Sequence, residues 1–106
     1  MLNQVVLVGK VAEVPVLSQN HLGKSFTDLL LNVDRGWKNS DGELECDLIK
    51  ITLWNGVAQS AVDVCHVGAV VGIEGRIQAA IIMSKENKPH YCCEIIAEKI
   101  SYLQSE

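Results

Sequence analysis

The sequence predicts an all-β chain closed into a five-stranded barrel, with one short helix between the third and fourth strands. Three observations predict it. Apolar residues recur with period two along most of the chain, and one stretch past the midpoint has helical spacing. Glycines also interrupt the first and fourth apolar runs, where the strands of a small barrel must bend. The 106 residues suffice for one hydrophobic core and not for two, so 1–106 reads as a single domain.

The first strand, Gln4–Val11, is nearly all apolar and is broken by Gly9. An irregular segment rich in turn formers follows around Ser18–Lys24. In the second strand, Phe26–Arg35, Leu29, Leu31 and Val33 share one face, and Asp28, Asn32 and Asp34 point the other way, with Leu30 among them. Asn39-Ser40-Asp41-Gly42 carries a hairpin signal, because Asp-Gly accepts the positive φ that tight turns require. In the third strand, Glu43–Trp54, Ile49, Ile51 and Leu53 form an aliphatic face. Lys50, Thr52 and Trp54 lie on the opposite one, which is expected to be outward. Val57, Ala61, Val64 and Cys65 place a helix over Gly56–His66, with Gly68 as its stop. The fourth strand spans Ala69–Met83, with Gly72 and Gly75 inside it. Ser84–Pro89 is a polar loop, and His90–Leu103 is the last strand. Three strands, a helix and two strands is the order of the OB barrel, whose middle strands and loops bind oligonucleotides or oligosaccharides. A five-stranded SH3-like barrel, the nearest rival, lacks a helix of this size there.

Composition is 48% hydrophobic and 21% charged, which excludes a disordered chain. No apolar run is long enough to span a bilayer, and the start has neither a basic region nor a long apolar centre. A cytoplasmic, nucleoid-associated protein with no membrane partner is expected. Cys46, Cys65, Cys92 and Cys93 contain no C-x-x-C pair, and vicinal thiols on a strand point to opposite faces. They read as free thiols acting as small buried hydrophobes, with no metal site. His21, His66 and His90 read as surface residues. No paired carboxylates, nucleophile motif or phosphate loop is present, so no catalytic residue and no cofactor is expected. The net charge of −4, from nine Lys and Arg against thirteen Asp and Glu, weighs mildly against a polyanion ligand. A local groove can still be basic.

Met1-Leu2-Asn3-Gln4-Val5-Val6-Leu7-Val8-Gly9-Lys10 resembles the opening strand of bacterial single-stranded DNA-binding proteins. Leu31 to Lys38, Ile51-Thr52-Leu53-Trp54, the helix over Val57–Gly68 and Val71-Gly72-Ile73-Glu74-Gly75-Arg76 are similar to that family's next motifs, in the same order. The resemblance covers residues 1–103. It implies an OB fold, binding of single-stranded DNA with little sequence preference, no catalysis, and a homo-oligomer, a tetramer ahead of a dimer. Three departures stand out. The family's flexible linker and acidic tip do not follow Leu103, so tail-dependent recruitment of repair proteins is not expected. Leu48 stands where the family usually has an aromatic, and Ile82 near where another often falls. Ala79-Ala80-Ile81-Ile82 replaces a stretch usually rich in Arg and Lys.

A sequence-tolerant binder needs aromatic faces for bases and cations for phosphates. Trp54 is the candidate platform, with Lys50 on the same strand face. Trp37 and Lys38, flanked by Arg35, form a second set in the loop after the second strand. Lys10, Arg76, Lys85 and Lys88 complete the candidate contacts. Tyr91 reads as interface or core, and Phe26 as structural. The reading is a protein that coats and protects single-stranded DNA in replication, repair or recombination. Two other readings keep the barrel. One is a PriB-type adaptor in replication restart; the other is an interaction domain that has lost nucleic-acid binding, as the −4 charge suggests.

Overall fold

The computed structural model describes residues 1–104. Six strands and one helix run in the order β1 (Val5–Val11), β2 (Ser18–Gln19), β3 (Ser25–Lys38), β4 (Leu44–Trp54), α1 (Asn55–Val64), β5 (Val70–Met83) and β6 (Pro89–Gln104). Five of the strands close a ring in the order β1-β5-β6-β4-β3, and β3 returns to β1. The expected OB barrel is therefore the fold observed. Every pairing is antiparallel except β4 with β6, where Ile51 and Thr52 lie beside Ile95 and Ile96 in parallel. Ser105 and Glu106, on which the expectation about tail-dependent recruitment bears, lie outside the described residues.

Closure depends on two glycines. β1 pairs with β5 from Val5 to Lys10, then crosses to β3 at Lys10 and Val11. At that crossing a Cβ on Gly9 would sit 2.3 Å from the Asn32 carbonyl oxygen. On β5 the register to β6 slips between Glu74 and Gly75, so the two strands bend together. A Cβ on Gly75 would sit 2.1 Å from the Ile96 carbonyl oxygen. No side chain fits either place.

The alternation seen in the sequence fills the interior. Leu29 and Leu31 of β3, Ile51 and Leu53 of β4, and Val71 and Ile73 of β5 are fully buried together with Val11. Helix α1 caps one end through Ala58 and Ala61, whose small side chains let it settle against the core. Asn55, at φ +53°, turns the chain out of β4 into that helix. The helix stops at Val64, short of the expected His66, and the Cys65 N–H closes its last turn on the Ala61 carbonyl. Gly68, expected as the stop, instead takes φ +91° and donates its N–H to Val11. Thr27 is the one buried polar side chain of β3, and its hydroxyl has no hydrogen-bond partner among the described residues.

Two boundaries depart from expectation. The segment read as irregular holds β2, where Ser18 and Gln19 pair with Phe26 and Ser25. β3 runs to Lys38 rather than Arg35, so Trp37 and Lys38 are strand residues, not loop residues. The turn comes at Asn39–Gly42 as expected, with the Asn39 carboxamide oxygen accepting the N–H groups of Asp41 and Glu43.

Candidate nucleic-acid interface

Period two fixes which side chains of β3 and β4 leave the core. On β4 they are Cys46, Leu48, Lys50, Thr52 and Trp54; opposite them on β3 are Asp34, Asn32, Leu30, Asp28 and Phe26. β1 extends this face, because Lys10 lies beside Asn32. Lys10, Lys50 and Trp54 therefore share one surface.

Trp54 points outward but is largely covered, more than its outward position suggested. The cause is its cross-strand neighbour Phe26, whose ring centroid lies 5.2 Å away at a 41° tilt. One face of the indole is fixed by that contact. Further along, the Thr52 hydroxyl donates to Asp28 at 3.1 Å, and the Cys46 thiol donates to Asp34 at 2.9 Å. That bond, with some loss of hydration, pushes the Cys46 thiol up from its ordinary pKa and keeps it protonated.

The second half of the site comes from β5 and β6. Past Ile77 and Ile95 these strands continue as a hairpin arm to Met83 and Pro89, paired with each other. Because β6 runs parallel to β4, the arm projects in the same direction as the β3–β4 hairpin, and a groove opens between them. Its volume is about 470 Å³. One wall is Leu48, Lys50 and Thr52; the other is Ala80, Ile82, Cys92 and Glu94. The groove is thus aliphatic, with one ammonium and one carboxylate. Lys38 stands at the end of one hairpin and Lys85 and Lys88 in the tip of the other, all exposed. Trp37 is 65% exposed on the β3 extension beside Lys38.

Two candidate cations are engaged elsewhere. Arg35 projects from the other side of β3 and is held by Glu45 and by Asp47, the latter at 2.9 Å. The Asp47 carboxylate accepts from Nε as well, at 3.2 Å to each oxygen. This bonding raises Arg35 above its usual pKa and lowers Asp47 below the usual carboxylate range. Arg35, a candidate phosphate contact, thus clasps the β3–β4 hairpin, with Asp47 and Glu45 as its partners. Arg76 is half-buried and donates to Gln78 at 2.8 Å. The cysteine reading also needs correction. Only Cys65 is buried; Cys46, Cys92 and Cys93 are exposed, because the arm and the outward face of β4 carry them away from the core.

Three site features carried no signal in sequence. Phe26 supports Trp54 only through register. Glu94 enters the groove only because β6 lies beside β4. Asn3 precedes any strand, yet its carboxamide bonds the Ile77 backbone twice, at 2.6 and 2.9 Å.

The fold agrees with the comparison to known proteins. The single-strand binding protein family model matches residues 2–103. The chain belongs to that family. Single-stranded DNA-binding protein B of Bacillus subtilis (strain 168) is 34% identical over 103 residues, 97% of this chain and 91% of that protein. Single-stranded DNA-binding protein 3 of Listeria innocua is 33% identical over 106 residues, the whole of this chain and 66% of that protein. The single-stranded DNA-binding protein of Lactiplantibacillus plantarum is 31% identical over 105 residues, 99% of this chain but 52% of that protein. The chain therefore spans nearly all of one family relative and between half and two thirds of the others. Among the described residues, no helix is long and apolar enough to cross a membrane.

Proposed function

We propose that this protein is a non-catalytic binder of single-stranded DNA that takes the strand along the outward face of β3 and β4 with little regard to sequence. The supporting observation is the groove between the two hairpins. It has an aromatic platform toward one end, Trp54 on Phe26, and cations on both tips at the other, Lys38 against Lys85 and Lys88. Stacking and aliphatic contact hold bases without reading them, because every base has an apolar face. Coating of this kind protects exposed strands in replication, repair and recombination. Because Trp37 and Trp54 are the only tryptophans, titration with poly(dT) should quench the intrinsic fluorescence. An unchanged signal, with no mobility shift of a labelled oligonucleotide, would overturn the reading. It would leave the adaptor or interaction role, which Asp28, Asp34 and Glu94 on or beside this face favour.

The proposal includes self-association. Val6 and Val8 are 63% and 53% exposed on the outer side of β1. Leu103 extends that patch, since its Cδ1 lies 3.6 Å from where a Gly72 Cβ would be. Exposed apolar strand surface of this kind is stabilised by a second copy through a two-fold contact of first strands, and a tetramer pairs two such dimers. Light scattering at micromolar concentration should give a multiple of 11.6 kDa; a monomer mass would refute it.

A further inference from the structure

We propose that Asn3 is a positioning residue for strand binding, a latch that fixes the root of the β5–β6 arm and so sets the width of the groove. This rests on the reading that the groove takes single-stranded DNA. The β1–β5 ladder begins at Val5 opposite Gly75. Continued by two residues, its register puts position 3 opposite Ile77. There the side chain does what a strand backbone would otherwise do. Asn3 Nδ2 donates to the Ile77 carbonyl at 2.6 Å, and Asn3 Oδ1 accepts the Ile77 N–H at 2.9 Å. Both ends of the carboxamide are used, which demands a donor and an acceptor on one short side chain.

The position matters because the free arm starts there. Beyond Ile77, β5 has only β6 as a ladder partner among the described residues, and β6 touches β4 in register only at Ile95 and Ile96. An isolated two-stranded ribbon is marginal in water. The arm is therefore tied to the barrel at its root alone, by β4 on one side and by Asn3 on the other. It carries Ala80, Ile82, Cys92 and Glu94, one whole wall of the groove, and Lys85 and Lys88 at its tip. A wall held in place before the strand arrives need not be ordered on binding, so the latch raises affinity without touching DNA.

The test uses the full chain with Asn3→Ala and Asn3→Asp. In Asn3→Ala, hydrogen-exchange protection should fall at the amides of residues 77–82. Affinity for a dT oligonucleotide should fall about three- to tenfold, the effect of one or two ordinary hydrogen bonds. The thermal midpoint should hold within a few degrees, because Asn3 is exposed and lies outside the core. Asn3→Asp keeps the acceptor but turns a carboxylate oxygen toward the Ile77 carbonyl, so it should bind no better than Asn3→Ala. A purely space-filling role would leave Asn3→Asp like the parent. Parental affinity in Asn3→Ala, or weakened affinity with the arm fully protected, would overturn the inference while leaving strand binding intact. A parent protein that does not bind the oligonucleotide would instead remove the functional reading itself, and this role with it.

Discussion

Replacing Trp54 with alanine tests the platform, and the structure separates its two effects. The first is on stability. A tryptophan covers about 150–250 Å² when buried, and most of Trp54 is covered, so at least about 100 Å² is kept from water. At about 25 cal/mol per Å² that is about 2.5 kcal/mol. The tilted pair with Phe26 adds about 0.5–1.5 kcal/mol. The sum of about 3–4 kcal/mol is less than the 5–15 kcal/mol, roughly, of a domain this size, so the variant should fold at low temperature with a melting point lowered by about 10–25 °C. The second effect is on binding. Losing one stacked base costs about 1–3 kcal/mol, a decrease of about 5- to 150-fold in affinity. Anisotropy of a labelled dT oligonucleotide at 15 °C, with circular dichroism confirming the fold, measures the second effect apart from the first. Trp54→Phe keeps a ring on Phe26 and should recover most of both. A folded Trp54→Ala protein that binds like the parent would show that the strand does not cross this ring. A variant unfolded at 15 °C would show that the indole belongs to the core.

Salt dependence should be shallow. Each phosphate on a single strand contributes about −0.7 to the slope of log K against log[salt], so three to five contacts per protomer give about −2 to −3.5. Within that slope, Lys50→Ala should remove about one contact and Arg35→Ala almost none, since Glu45 and Asp47 already hold Arg35. Equal losses from the two would contradict the hairpin clasp. Thr27→Val should stabilise the protein by about 1 kcal/mol in urea unfolding, because it removes a buried hydroxyl that has no partner among the described residues. Destabilisation there would mean that the hydroxyl is satisfied by a buried water. Gly75→Ala places a Cβ 2.1 Å from the Ile96 carbonyl and should cost about 3 kcal/mol or more, with Gly72→Ala, whose nearest neighbour is 3.6 Å away, as the mild control. Similar urea midpoints for the two would argue against the close approach of β5 and β6.

The barrel is legible in the sequence because its signals are local. Alternation in Phe26–Arg35 and Glu43–Trp54 marks the buried set of Leu29, Leu31, Ile51 and Leu53. Gly9 and Gly75 mark bends that no other residue tolerates. The failures have equally local causes. β2 is two residues long, too short to show a period. The end of β3 is hidden because Gly36-Trp37-Lys38 resembles turn chemistry. Gly36, at φ +86°, instead lies within the register shift that separates the Asp34–Cys46 pair from the Lys38–Leu44 pair, and the strand continues past it.

The site is less legible because its members meet through register and not through sequence. Nine cations look alike in the chain, and what distinguishes Arg35 from Lys50 is the residue across the ladder. Arg35 meets Asp47 and Glu45, while Lys50 meets Leu30 and keeps its charge in the groove. The same holds for the groove. Leu48 and Ile82 are thirty-four positions apart, and they face each other because two residues of β6 run parallel to β4 and carry the arm alongside the β3–β4 hairpin. That single parallel contact converts two unrelated hairpins into opposing walls. In the proposed reading, Leu48 and Ile82 keep the groove aliphatic and offer it no stacking face, so base contact would rest most heavily on Trp54.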